Sequence, residues 1–461
     1  MVFSSLPFLF FYLPVVLLIY KLSPLKLRNL FLLLASLFFY GWGEPIYIII
    51  MFASIFIDYT HGMLVERWRA DDKKARMAVA SSVFFNLLLL VFFKYYDFLA
   101  ESINAVTGLS LPLLGIPLPI GISFYTFQTM SYTIDVYRKD APVQKNIVTF
   151  GAFVTLFPQL IAGPIIQYKS VAEQLESRRE GLEKFVSGVQ RFCIGAAKKV
   201  LLANAIGQLW DVSLASENLT VLGGWLGLVA YAFQIYFDFS GYSDMAIGLG
   251  KMFGFDFIEN FNYPYISRSV VEFWKRWHIS LTDWFRQYVY FPLGGNRVSK
   301  PKWIRNIIIV WLLTGIWHGA GWNFLLWGLY YAVFMLGERL FWGKSLEKLP
   351  VALRHVYTMF VVLIGWALFA VENMAHLGRY LASCFGGAPL LDAATLYNLV
   401  SYLPMLVILC VAATPLSKKL WGRLSERTQD MLTPILVLAA MVLCTASLVD
   451  ASYNPFLYFR F

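Results

Sequence analysis

The sequence predicts an all-helical (all-α) protein that crosses a membrane several times. Hydrophobic residues make up 59% of its 461 residues and charged residues only 14%, and the mean hydropathy of +0.61 is far from the balance of a soluble domain. Apolar runs near the length that spans a bilayer recur at residues 6–19, 46–57, 79–93, 222–237, 357–371, 399–413 and 432–448. With shorter and more polar segments included, we predict roughly 10–13 transmembrane or re-entrant helices in one membrane domain, residues 1–461.

The basic residues indicate topology rather than a nucleic-acid partner. The 38 Lys and Arg exceed the 28 Asp and Glu by 10, but they alternate between loops. The gaps at 20–28 and 67–76 are basic, whereas those at 41–45 and 101–119 contain no Lys or Arg. This positive-inside pattern predicts a multi-pass membrane protein with its N-terminus extracytoplasmic. The first basic residue, Lys21, follows the first apolar run, so we expect that helix to be retained.

Residues 1–100 and 354–461 are predicted to be transmembrane helices that carry little chemistry. Asp58 and His61, at the end of the third apolar run, are expected to be interfacial groups. The four cysteines lie in or beside apolar stretches without CxxC spacing, so we predict neither disulfide nor metal roles for Cys193, Cys384, Cys410 and Cys444.

The stretch from 117 to 345, the predicted catalytic core, carries polar residues at membrane depth. Segments 121–137 and 234–244 interleave hydroxyls, amides and carboxylates with apolar residues. Such groups must face protein or a water-filled cavity, so these helices either enclose a substrate path or hydrogen-bond to one another. The prolines and glycine of 158–164 predict a break or re-entrant turn.

Residues 271–300 form an amphipathic segment that is too charged to span. Large apolar residues recur every three or four positions, with charged and polar residues between them, at Phe273, Trp277, Leu281, Trp284 and Tyr288. We expect this segment to lie along or dip into the cytoplasmic face. It carries His278.

The histidines are the sharpest chemical signal. The chain has only five, and a helix that starts near Trp303 on the cytoplasmic side carries His318 about 22 Å into the membrane. A neutral imidazole there is suited to take a proton from a hydroxyl, although a histidine bonded to a carbonyl is the alternative.

Other chemistries fit these residues less well. His278 and His318, forty residues apart without a third ligand nearby, make a weak metal site. No GxSxG elbow occurs, and "GLGKMFG" at 248–254 favours helix packing over nucleotide binding.

Several motifs resemble one known family. The stretches "MVFSS" at the start, "LIAGPI" at 160–165, "YFDFSGYSDMAIGLG" at 236–250, "EFWKRWHISLTDWFRQYVY" at 272–290, "WHGAGWNFLLWG" at 317–328 and the terminal "NPFLYFRF" are similar to the membrane-bound O-acyltransferase (MBOAT) superfamily. The resemblance covers essentially the whole chain and is strongest to the branch that acetylates alginate, peptidoglycan and cellulose. It implies a ring of tilted helices around a central tunnel, with His318 as catalytic residue and His278 as a second histidine on the donor side.

The resemblance also implies a reaction. A cytoplasmic acyl thioester, acetyl-CoA or a carrier-bound group, would be guided by Arg276 and His278, with Trp317 walling the site and no permanently bound cofactor. The acceptor would be an extracytoplasmic hydroxyl, presented by an SGNH-type partner protein. Asp238, Asp244 and Asn323 either orient the imidazole, line the tunnel or serve in packing. The alternatives are an acyl or polysaccharide transporter without catalysis and a D-alanyl transferase for teichoic acid.

Overall fold

The computed structural model describes residues 1–161, 163–450 and 456–457. Ala162, within "LIAGPI", and all of the terminal "NPFLYFRF" except Phe456 and Leu457 lie outside the described residues. Everything described is helix, turn or loop, and no strand occurs in this part of the chain. Contacts divide the protein into two compact units, one of residues 1–192 and 242–258 and the other of residues 193–241 and 259–461.

The first unit holds the N-terminal helices. They are α1 (Leu13–Leu22), α2 (Arg28–Gly41), α3 (Ile48–Arg67), α4 (Asp72–Leu90), α5 (Tyr96–Thr107), α6 (Ile122–Arg138), α7 (Ile147–Thr155), α8 (Phe157–Leu160), α9 (Tyr168–Glu176) and most of α10 (Leu182–Ala197). Leu156 separates α7 from α8, just before the predicted break at 158–164. Helix α8 includes Pro158 and ends at Leu160, inside the predicted range.

Helix α6 is the polar centre of the first unit. It packs against α3, α4 and α9, and nearly all of its residues are buried, including the hydroxyls and amides of 123–133. The prediction that these polar groups face protein is confirmed. The expectation that Asp58 is interfacial is wrong, because its fully buried carboxylate accepts hydrogen bonds from Ser82, Asn86 and Thr133.

The second unit holds the histidine motifs. Its helices are α11 (Asn204–Ala215), the first part of α12 (Val221–Met252), α13 (Val270–Arg276), α14 (Ile279–Phe285), α15 (Lys300–His318), α16 (Trp322–Gly337), α17 (Gly343–Glu347), α18 (Val351–Ala370), α19 (Met374–Cys384), α20 (Ala393–Ala412), α21 (Leu416–Trp421) and α22 (Glu426–Asp450). Helices α15 and α16 pack along each other, and α18 covers α16 and α13.

Within the described residues, seven helical stretches are long and apolar enough to cross a membrane. They are Ile48–Arg67, Asp72–Thr107, Val221–Met252, Trp322–Glu347, Val351–Ala370, Ala393–Ala412 and Glu426–Asp450. A shorter apolar helix covers Phe8–Leu22. The protein is therefore an all-helical, polytopic membrane protein, in agreement with the predicted fold class.

Candidate active site

The amphipathic segment folds as two short helices rather than one. Helix α13 ends at Arg276 and α14 begins at Ile279, so His278 lies at the break. The start of α13 is fixed by Glu338, whose carboxylate accepts the backbone N–H groups of Val270 (2.7 Å) and Val271 (2.9 Å). A negative group at this end also suits the helix dipole. The rings of Phe273, Trp277, Trp284 and Tyr288 are buried in the protein.

His278 is held in an unusual backbone conformation. Its φ of 45° and ψ of 55° are in the left-handed region, which a residue with a side chain adopts only when its surroundings enforce it. The surroundings are supplied by Asn260, whose carbonyl oxygen accepts from Ile279 N–H at 3.0 Å. The side-chain oxygen of Asn260 accepts from the Ser280 hydroxyl at 2.9 Å and from Ser280 N–H at 3.2 Å.

The same amide oxygen sets the tautomer of His278. Nδ1 of His278 lies 3.1 Å from Asn260 Oδ1, and since that oxygen can only accept, Nδ1 carries the proton. The Nε2 atom is then a lone-pair acceptor, and it is buried without a hydrogen-bond partner among the residues described. Burial lowers the pKa of His278 to about 3, so the ring is neutral near pH 7.

A cavity of about 340 Å³ opens beside His278. Apolar side chains form much of its wall, and its polar lining consists of His278, Thr282, Arg286, Tyr290, Asn296, Thr314 and Arg339. The lining also includes Trp274, whose buried indole N–H finds no acceptor in the described part of the chain. Arg339 and much of Arg286 are exposed, so the cavity joins accessible cationic groups to buried polar atoms.

His318 is the last residue of α15 and is buried among rings. The centroids of Trp317, Trp327 and Phe369 lie 5.0, 5.1 and 5.1 Å from its imidazole. Trp317 also contacts His278, with ring centroids 6.0 Å apart. The structure therefore brings both histidines into contact with one indole. Thr314 of the cavity wall precedes His318 by one helical turn.

The helix bearing His318 is fixed by a close approach to α16. A Cβ atom at Gly328 would lie 2.5 Å from the carbonyl oxygen of Trp311, a separation that only glycine permits. This spacing lets Trp327, the neighbour of Gly328, reach His318.

The remaining predicted residues fall in different places. Arg276 is tied to Glu272 (2.9 Å) and to the carbonyl of Asn262 (3.0 Å). Asn323 donates to the carbonyl groups of Leu368 and Phe369 at the end of α18, both at 3.4 Å.

The two predicted carboxylates form ion pairs. Asp238 pairs with Lys199 in the second unit, whereas Asp244 pairs with Arg191 in the first unit at 2.6 Å. Among the described residues no group of three or more His, Cys, Asp or Glu is placed to hold a metal ion.

Sequence reasoning missed Asn260, Arg286, Glu338 and Arg339. Asn260 lies in a stretch without helical periodicity, and nothing in its neighbourhood signals its partner. A signal existed for Glu338 and Arg339, because two charges at the end of the apolar run of α16 need partners or water.

Comparison with known proteins identifies the family. The profile of the membrane-bound O-acyltransferase family (MBOAT) matches residues 38–377. A probable alginate O-acetylase, AlgI, of Azotobacter vinelandii is 43% identical over 389 residues, which cover 84% of this chain and 78% of that protein. A peptidoglycan O-acetyltransferase of Helicobacter pylori is 32% identical, covering 84% and 80%. A teichoic acid D-alanyltransferase of Bacillus subtilis is 29% identical, covering 56% and 70%. The chain belongs to the membrane-bound O-acyltransferase family.

Proposed function

We propose that this protein moves an acetyl group from a cytoplasmic thioester to a hydroxyl on the extracytoplasmic side, for O-acetylation of an exported or cell-wall polysaccharide. The names of the alginate and peptidoglycan relatives support the acetyl group and the polysaccharide. The observation that carries the proposal is that two histidines contact the same indole, Trp317, and that one of them, His278, lines a cavity.

The donor is proposed to be acetyl-CoA or another acyl thioester bound in the cavity. Arg286 and Arg339 suit its phosphate groups, because guanidinium groups bind phosphate oxygens in pairs of hydrogen bonds. Deeper in the cavity, Trp274 offers an N–H donor and His278 Nε2 an acceptor. A buried polar atom without a partner costs roughly 1–3 kcal/mol, which a bound donor would recover. These groups, rather than Arg276, are the proposed donor contacts.

His318 is proposed as the general base. In the reaction the acceptor oxygen attacks the thioester carbonyl, the C–O bond forms and the C–S bond breaks. His318 takes the hydroxyl proton and returns it to the departing thiolate. His278 is a poor base because its pKa is about 3, and its neutral ring instead accepts a hydrogen bond from the donor. Trp317 contacts both imidazoles. Asn323 holds the end of α18, which carries Phe369, by donating to the carbonyl groups of Leu368 and Phe369.

We also propose the cellular setting. Residues 1–461 act as one membrane domain with a catalytic core at 117–345, in the bacterial inner membrane, with the N-terminus extracytoplasmic. The acceptor is delivered by an SGNH-type partner outside the cytoplasm. The alternation of basic loops supports this orientation.

The test is transfer of labelled acetyl by the purified protein in proteoliposomes. Loss of a general base lowers such rates by about 10²- to 10⁴-fold, so His318→Ala should abolish measurable transfer at normal folding. His376→Ala, in α19, is the matched histidine control and should transfer normally. Wild-type rates in His318→Ala would refute the assignment. Transfer of D-alanine in preference to acetyl, in a competition between donors, would favour the teichoic acid reaction.

A further inference from the structure

A buried ion pair lies in the second unit, away from the proposed donor cavity. Nζ of Lys199 is 2.5 Å from Oδ1 of Asp238, and the two side chains are only 4% and 2% exposed. Withdrawing both charges from water is costly, and an apolar pair of similar volume usually stabilises a protein as well or better. The pair is therefore weak evidence for a role in stability alone.

The ion pair holds Phe456 and Leu457. Oδ2 of Asp238 accepts a hydrogen bond from the backbone N–H of Leu457 at 2.9 Å. The Lys199 ammonium lies 5.9 Å from the ring centroid of Phe456, within the range of a cation–π contact. Phe456 and Leu457 are both buried. Together Lys199 and Asp238 form a receptor for Phe456 and Leu457.

The backbone at Lys199 departs from regular α-helical geometry. Lys199 belongs to a π-helical stretch, Lys198–Ala203, of a kind that often marks functional sites. This stretch lies directly on α12, because a Cβ atom at Gly241 would be 2.8 Å from the carbonyl oxygen of Gly195 and 3.0 Å from the nitrogen of Lys199. The receptor is thus fixed to α12 at the turn that carries Asp238.

The next residue of α12 contacts His278. The Phe239 ring stands perpendicular to the imidazole with a centroid separation of 4.7 Å, and it packs on Phe261 at 5.0 Å. Any rotation or shift of α12 at Asp238 moves Phe239 against His278. Two adjacent residues of α12, Asp238 and Phe239, therefore connect Phe456 and Leu457 to His278 at the active site.

We propose that Phe456 and Leu457, gripped by Lys199 and Asp238, position His278 through Phe239. Lys199, Asp238 and Leu457 are positioning residues for acyl transfer. Phe456 and Leu457 contribute to the site through this contact. This inference rests on the proposed donor-binding role of His278.

The first experiment removes the backbone donor. Leu457→Pro deletes the N–H that Asp238 accepts, and Leu457→Met keeps it while altering the side chain alone. Because small displacements at an active site cost much rate, we expect Leu457→Pro to lower kcat for acetyl transfer at least about tenfold. The KM for acetyl-CoA should rise by a smaller factor than kcat falls, because Arg286 and Arg339 are untouched and only the His278 contact is disturbed. Leu457→Met should change both values much less.

The second experiment separates positioning from stability. The double variant Lys199→Met with Asp238→Leu replaces the pair by apolar groups, so its Tm should equal or exceed that of the wild type. We expect kcat to remain reduced about tenfold in this stable variant because the receptor is gone. Wild-type kcat in the double variant or in Leu457→Pro would overturn the inference. If instead His278→Ala transferred acetyl at the wild-type rate, the donor role of His278, and the inference with it, would fail.

Discussion

At the scale of single residues, Asn260 determines what His278 can do. One amide oxygen receives the imidazole N–H, the Ser280 hydroxyl and the Ser280 backbone N–H. With Nδ1 protonated, only the Nε2 lone pair remains for a substrate. Burial keeps that lone pair free of a proton, because it lowers the pKa of His278 to about 3.

Changing Asn260 to Asp should make the reaction sensitive to acid. A carboxylate beside Nδ1 stabilises the imidazolium and raises the pKa of His278. The neutral, accepting ring is present above its pKa and is lost as the pH falls through it, so the Asn260→Asp variant should lose activity at a higher pH than the wild type. The measurement is the pH dependence of kcat/KM for acetyl transfer between pH 4 and 8.

The matched control is Asn262→Asp, an exposed asparagine two residues further on. Its new charge is solvated and should leave the profile in place. An unshifted profile for Asn260→Asp, or an equal shift for both variants, would contradict the assigned tautomer.

At the scale of elements, α15 was predictable and the α13–α14 break was not. Basic residues before an apolar run marked the start of α15, and counting from Trp303 placed His318 on this helix, about 22 Å from its start. The structure has His318 on α15, as its last residue. The regular spacing of rings from Phe273 to Tyr288 concealed the break, because it continues across His278. The break depends on Asn260 and Glu338, which are distant in sequence and leave no periodic signal.

The two arginines of the cavity should determine donor affinity. Replacing Arg286 and Arg339 together by Gln removes charged hydrogen bonds worth roughly 1.5–3 kcal/mol each, so the KM for acetyl-CoA should rise at least about tenfold with kcat nearly unchanged. S-acetyl-pantetheine lacks the nucleotide phosphates, and its KM should stay constant. Initial rates of acetyl transfer with both donors give the comparison.

Arg297→Gln is the control for this pair, since Arg297 is exposed and is not part of the described cavity lining. Equal KM increases for both donors, or no increase for acetyl-CoA, would show that Arg286 and Arg339 do not bind the donor's phosphate groups.

At the scale of the whole molecule, composition and charge alternation were enough to predict a polytopic helical membrane protein. The spacing of polar residues on α4 and α6 could also have predicted that they share a helix face. Ser82 and Asn86 on α4, and Thr129 and Thr133 on α6, are each four residues apart and therefore share a helix face. Ser82, Asn86 and Thr133 donate to the Asp58 carboxylate, and Thr129 donates to the side-chain oxygen of Asn86. The pairing of distant charges, such as Lys199 with Asp238, could not be predicted because tertiary packing alone brings them together.

The predicted orientation can be measured directly. In a Cys410→Ser background, which removes the exposed native thiol, Ser110→Cys should react with a membrane-impermeant maleimide in intact spheroplasts. Lys73→Cys, at the exposed start of α4 in the basic stretch 67–76, should react only after permeabilisation. The reverse pattern would place the N-terminus in the cytoplasm.

Trp317 constrains how the substrate specificity of this protein can evolve. A single indole touches both imidazoles. In the proposed mechanism, a substitution of Trp317 would therefore disturb the donor side and the acceptor side together. A substitution of Trp317 would then not alter the specificity for one substrate alone. New substrate preferences would have to arise from residues further from Trp317 on the donor side or on the acceptor side.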